Sequence, residues 1–267
     1  FEIVNMHVRT LYRIQFPLLK LIFKESPKSS SESAIGELFA QAAGFYDISG
    51  YGISSHNQKT IWTLATMIPA FWAGKRKIPV ILLPQSLGPF EFKGWKKLLI
   101  RPIIARYLKI PNTIFIREAV SRGYLAPFRR DGIVNSFDLV LLNASGHAHT
   151  PKNNSIAIIP NRQLTNFMAA NDIAGLFAQL AQESIDAGYD VHLFAHATDD
   201  MKLCRLIYEA IPDKTKTIFY QDDFTIPQTE ALLAQMSGVI TARYHGLVHA
   251  IKLGKPCFVL GWATKYQ

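Results

Sequence analysis

Through the second half of the chain, short apolar runs alternate with amphipathic stretches, and this rhythm constrains the fold more than any other feature. "SIAIIP" (155–160) reads as a strand and "NDIAGLFAQLAQESIDAG" (171–188) as a helix. In that helix Ile173, Leu176, Phe177 and Leu180 form one stripe, Asn171 or Asp172 is the N-cap, and Gly188 the stop. The alternation continues: "YDVHLFA" strand, "DMKLCRLIYEAI" helix, "KTIFY" strand, "PQTEALLAQM" helix, "GVIT" strand, "GLVHAIKLG" helix, "PCFVLG" strand. Apolar strands too short to alternate, each followed by a helix, predict a parallel sheet covered on both faces.

The first half repeats the pattern less regularly. "YDISG", "IPVILLP" and "TIFI" read as strands, "EAVSRGYLA" as a helix and "LVLLN" as a further strand. The small, polar segment "ASGHAHTPKNN" reads as a linker. The expectation is α/β: two Rossmann-like doubly wound domains, 1–145 and 153–267, facing a cleft. Apolar residues make up 49% of the 267 and charged residues 18%, enough to bury two cores and too apolar for disorder. "SPKSSSES" reads as a flexible loop.

The net charge is +9, with Lys and Arg scattered rather than run together. That disfavours a nucleic-acid arm and fits a site for anions, or a basic face resting on an anionic membrane. "RTLYRIQFPLLKLIFK" (9–24) alternates basic and apolar residues and reads as an amphipathic packing helix, with a membrane-surface helix as the alternative. "IWTLATMIPAFWAG", interrupted by Pro69, is too short to span a bilayer. Cys204 and Cys257, each in apolar context, read as buried free thiols of a reducing compartment.

The unusual polar residues fall just beyond predicted strands: Gln85 and Ser86 after "VILLP", Arg117 after "TIFI", Arg243 to His245 after "GVIT", and Lys265 shortly after "PCFVLG". In open parallel sheets that edge binds ligands. His245 and Gly246 open a helix, where the peptide dipoles favour an anion, and a glycine there permits close approach. With Arg243, Arg117 and Lys265 added, these residues suit a small, highly charged anion such as a phosphorylated acid.

"PVILLPQSLGPF", "IFIREAVSRGYL", "SFDLVLL" and "ITARYHGLVHAIKLGKPCFVLGWATKY" together resemble the polysaccharide pyruvyl transferase family, in the family's order and from about Asp47 onward. The glycine- and asparagine-rich opening usual in the family is not found before Asp47, and the chain stops at Gln267, where the family usually continues into a closing helix. The resemblance implies a GT-B-like fold and transfer of a pyruvyl group from phosphoenolpyruvate to a sugar of a surface glycan or its lipid-linked precursor. It places the family's donor-binding arginine on Arg117, its functional histidine on His245 and its lysine on Lys265. Arg243, Gly246, Gln85 and Ser86 are then substrate-binding, with Asp47 and Asp138 as candidate bases. No metal or cofactor is implied beyond the phosphoenolpyruvate donor. The acceptor domain would be the first, the donor domain the second, in the cytoplasm or at the inner face of the membrane; peripheral membrane contact and self-association stay open.

Plainer readings stand beside these. His245 and His249 have the spacing of a helical metal pair, but "HGLVH" lacks the glutamate of the zinc protease motif. His147, His149, His192 and His196 read as solvated linker and strand-end histidines rather than a metal cluster, and Asp199 and Asp200 as a helix N-cap. Trp62, Phe71 and Trp72 read as core rather than as a sugar platform. The plainer reading of Arg117 is a pairing with Glu118 or with a helix end. The rival functions are a nucleotide-sugar GT-B glycosyltransferase and a basic glycan- or nucleic-acid-binding module.

Overall fold

A computed structural model of the chain describes residues 32–55, 60–142, 154–263 and 266. They form two units that divide between Asp138 and Leu139.

The first unit runs α1 (Glu32–Gln41), β1 (Phe45–Asp47), α2 (Thr60–Lys75), β2 (Val80–Gln85), α3 (Trp95–Tyr107), β3 (Thr113–Ile116), α4 (Ala119–Leu125) and β4 (Ile133–Asn135). Its four strands are parallel and lie in sequence order. Side chains alternate across a strand, so Val80 and Leu82 share a face with Ile114 and Ile116. Onto that face pack Met67, Ala70 and Ala73 of α2 and Ile100, Ile104 and Tyr107 of α3, in one core. On the strands' alternate positions, Tyr46 is 61% and Val134 42% exposed. The apolar run around Pro69 is α2, with Pro69 buried inside it.

The sequence reading marked no element at α1, α2, α3 or β4. In α3 the apolar positions do not make one stripe: Leu98 and Leu99 face solvent and Pro102 interrupts the helix. β4 has three residues, none buried. The strand expected at "LVLLN" is instead a four-residue helix, α5 (Leu139–Leu142). It packs on the helix at 244–252, which carries it into the second unit, ahead of the boundary expected at 145.

The second unit continues with β5 (Ser155–Ile159), α6 (Ala170–Asp186), β6 (Asp190–Phe194), α7 (Met201–Ala210), β7 (Thr217–Tyr220), α8 (Ile226–Gln235), β8 (Gly238–Thr241), α9 (Tyr244–Lys252) and β9 (Cys257–Val259). All strands are parallel, in the order β7-β6-β5-β8-β9. Both faces are filled. Ile158, Val191 and Leu193 pack under Phe177 of α6 and Leu203 and Ile207 of α7. Ala157, Ile159 and Val239 pack under Leu233 of α8 and Ala250 of α9. Thr225 and Gln228 close a capping box at the start of α8. The strand order reverses between β5 and β8, the point in an open parallel sheet beyond whose carboxyl ends ligands bind.

Both cysteines are free: Cys204 is buried, as expected, whereas Cys257 is only half-buried. Burial pushes the Cys204 thiol well up and the Cys257 thiol up to about 11, so neither is a ready nucleophile at neutral pH. Among the described residues no helix is long and apolar enough to cross a membrane. Residues 9–24, His147 and His149 lie outside the described residues.

Candidate active site

At the strand ends of the first unit, a buried network surrounds Arg117. Its Nε donates to Ser86 Oγ at 2.9 Å and to Glu118 Oε1 at 3.0 Å, and its Nη1 to Asp138 Oδ2 at 2.6 Å. Ser86 Oγ itself donates to Glu118 Oε1 at 2.7 Å. The side chains of Arg117, Glu118 and Asp138 are each no more than 6% exposed, so this is a desolvated ion triad rather than a surface pair. β2 and β3 are hydrogen-bonded neighbours, which brings Ser86 and Arg117 together from 31 residues apart. Gln85 is fully buried; its Oε1 accepts from Ser49 Oγ at 3.3 Å, and its Nε2 has no hydrogen-bond partner among the described residues. A buried amide donor left so costs about 1–3 kcal/mol unless a ligand or water meets it. Of the two candidate bases, Asp138 is held by Arg117. Asp47 accepts from Ser49 N at 2.8 Å and lies 3.5 Å from the Tyr107 hydroxyl.

The second unit assembles its polar residues in the segments that follow β5, β6 and β8. Arg243 follows β8 and forks onto Asp200: Nε to Oδ2 and Nη2 to Oδ1, both at 2.6 Å. Asp200 is fully buried and also accepts from Arg162 N at 2.9 Å, after β5. Asp200 stands at the N-cap of α7 but makes no side-chain cap hydrogen bond there; its oxygens go to the two arginines' loops instead. This bidentate pair is what sequence reading missed. The two residues are 43 positions apart, and the only signal was that each follows a strand of the same parallel sheet.

His245 is exposed in the first turn of α9. Two further histidines stand behind it: His196, after β6, stacks on His245 with ring centroids 6.2 Å apart, and His249 lies 5.8 Å from His196. His249 Nδ1 is 3.2 Å from Glu230 Oε1, which also takes Lys252 Nζ at 2.7 Å. Burial first, then the neighbouring His249, His245 and Arg243, push His196 down to about 4. It is therefore a neutral imidazole at pH 7, with Nε2 buried and unmatched among the described residues. His192 belongs to a different contact, with Nδ1 2.9 Å from the Tyr220 hydroxyl. No group of three or more His, Cys, Asp or Glu among the described residues is placed to hold a metal ion.

Gly246 is explained by packing. A Cβ there would lie 2.5 Å from Thr241 Oγ1 and 3.3 Å from Ile159 Cδ1, so only glycine lets α9 start this close to β5 and β8. Lys265 lies outside the described residues. Tyr266, next in the chain, donates its hydroxyl to the Ala242 carbonyl at 2.6 Å, where Trp262 Nε1 (3.0 Å) and Asn161 Nδ2 (3.1 Å) also arrive. Of the aromatic trio, Phe71 and Trp72 pack against the first core, while Trp62 is 51% exposed.

Solved structures with similar folds include S. aureus MnaA with UDP, at a TM-score of 0.58 and 12% identity, covering 90% of this chain and 67% of that one. UDP-GlcNAc 2-epimerase from Neisseria meningitidis bound to UDP-GlcNAc matches at 0.56 and 12%, covering 94% and 72%. A putative UDP-N-acetylglucosamine 2-epimerase from Listeria monocytogenes matches at 0.56 and 11%, covering 87% of this chain and 61% of that one. The chain thus spans between 61% and 72% of these proteins, and at such identity the likeness establishes the fold, which is GT-B-like. No curated protein matches the chain. Polysaccharide pyruvyl transferase is the family whose sequence pattern matches residues 16–264, a span that takes in both strand-end clusters. By that match, which covers nearly its whole length, the chain belongs to the polysaccharide pyruvyl transferase family.

Proposed function

We propose that the protein moves the pyruvyl group of phosphoenolpyruvate onto a sugar of a surface polysaccharide or its lipid-linked precursor, closing a pyruvate ketal. The observation that carries this reading is the anion-suited corner of the second unit: exposed His245 at a helix start, beside an arginine locked by a buried carboxylate.

In the reaction, phosphoenolpyruvate gains a proton at C3, and cationic character develops at C2. A sugar hydroxyl adds to C2 and gives up its proton. The C2–O bond to phosphate then breaks, phosphate leaves with the electron pair, and a second hydroxyl of the same sugar adds to C2 and loses its proton. One phosphoenolpyruvate and one diol give one ketal and one inorganic phosphate. An imidazole can deliver the C3 proton or hold the phosphate, and His245 is assigned to one of these tasks. His196, neutral and stacked on it, adds no competing charge and keeps the ring in place. Arg243, fixed by Asp200, offers an oriented cation without reorganisation. Lys265 and Arg117 are assigned to the donor's anionic groups on the family resemblance. For Arg117 this requires that it share its guanidinium with Glu118 and Asp138.

The test is pyruvyl transfer to a panel of simple glycosides, read as adduct mass and released phosphate. His245→Ala should lower turnover at least about 100-fold, in the range lost with a general acid or base, with an unchanged melting temperature because the side chain is exposed. Near wild-type rates in His245→Ala, Arg117→Lys and Lys265→Ala together would overturn the assignment. The competing reading, nucleotide-sugar chemistry, rests on the fold likeness to proteins solved with UDP or UDP-GlcNAc. It predicts that UDP-sugars, and not phosphoenolpyruvate, raise the melting temperature.

A further inference from the structure

Helices α2 and α3 form a face that the proposed chemistry does not use. Residues 60–77 and 93–110 contain nine lysines and arginines and no Asp or Glu, a surplus as large as the net charge of the entire chain. Amid these cations two large apolar side chains stand in solvent: Leu98 is 76% and Leu99 58% exposed. Lys97 and Arg101 flank them and are exposed. Leu99, Ile103 and Arg106 recur at helical spacing and lead from the leucines into an apolar groove between α2 and α3. The groove has a volume of about 710 Å³; Leu64, Ile68 and Ile103 line it together with Lys75, Arg106 and Lys109.

We infer that this face docks the protein onto a bilayer rich in anionic lipid. Two adjacent leucines projecting from a helix do not help a soluble protein, because they hold apolar area in water; at a bilayer they reach the acyl boundary. The surrounding lysines and arginines meet headgroup phosphates, and neither stretch contains a carboxylate to offset that attraction. A nucleic acid would use the cations but leave the leucines wet, whereas a bilayer uses both. The inference does not rest on the pyruvyl transfer reading: the face is built wholly from the first unit, and binding is read without turnover.

The full chain is tested by co-sedimentation with vesicles of phosphatidylcholine alone and of phosphatidylcholine with phosphatidylglycerol, at two salt concentrations. Binding is expected to the second kind only, and to weaken with salt. The double variant Leu98→Glu/Leu99→Glu should lower vesicle affinity by at least about tenfold, since it removes two buried leucines and adds two negative charges. Its melting temperature should not change, because both sites are exposed. Leu206→Glu, at an exposed leucine of the second unit, should bind as the parent does. Absence of binding to anionic vesicles would overturn the inference, as would equal binding by the double variant. Two other results would also overturn it: duplex DNA binding more tightly than the vesicles and indifferent to Leu98 and Leu99, or a dimer in solution that the double variant dissociates.

Discussion

The two sheets of this protein are built from similar strands and differ in how they are covered. The second sheet carries a core on each face, with α6 and α7 on one side and α8 and α9 on the other. The first has one described core, on the side of α2 and α3. The polar strand ends differ in the same sense. Around Arg117 the cation is enclosed by two carboxylates; around Arg243 a single carboxylate is enclosed, and the arginine side chain remains 24% exposed. A guanidinium that keeps some solvent contact while its angle is fixed is suited to meet a ligand. One surrounded by buried carboxylates holds loops together, and meets a ligand only by sharing those bonds.

The comparison can be broken most forcefully at Arg243. Arg243→Met leaves Asp200 buried without its countercharge and should destabilise the second unit by about 3–5 kcal/mol, as measured by denaturant unfolding. Asp200→Asn in the same background should recover part of the loss; no loss in the single variant would mean that the pair does not organise this corner. Next in size is a pH effect. His196 binds a proton in the unfolded chain near its ordinary value but in the folded protein only near 4. Its contribution to stability is therefore complete above about 6.5, falls as pH drops toward 4, and amounts to at most about 3 kcal/mol. In His196→Gln that part of the pH dependence should vanish, which urea melts at pH 7 and pH 5 would show. Thr225→Ala, which opens the capping box of α8, should cost about 1 kcal/mol. Smallest of all, Tyr46→Ala on the exposed side of the first sheet should fall within about 0.5 kcal/mol of the parent. A larger loss there would show that this side is covered after all.

The second unit was legible in the sequence because each of its elements obeys one rule at a time. α6 has a single apolar stripe, and β5, β6 and β8 are short apolar runs bounded by turn residues. The first unit mixes rules. α3 carries leucines on its solvent side and a proline within, so periodicity does not mark it as a helix, and "LVLLN" is apolar enough for a strand yet forms one helical turn. That the unusual polar residues follow strands of each sheet was legible as well. Their partners were not. Asp200 was read as a helix cap, and His196 as a solvated histidine, because nothing in local spacing reports that β6 delivers both beside β8. Gly246 reads as room for a ligand, and the sequence does not show that a Cβ there would also meet Thr241.

The carbonyl of Ala242 receives donors from Asn161, Trp262 and Tyr266, three side chains from two loops far apart in sequence. It works as a peg on which the loop after β5 and the last turn of the chain both hang, one residue before Arg243. If that peptide plane rotates, all three tethers slacken together, so the ends of the second unit tighten or loosen as one piece.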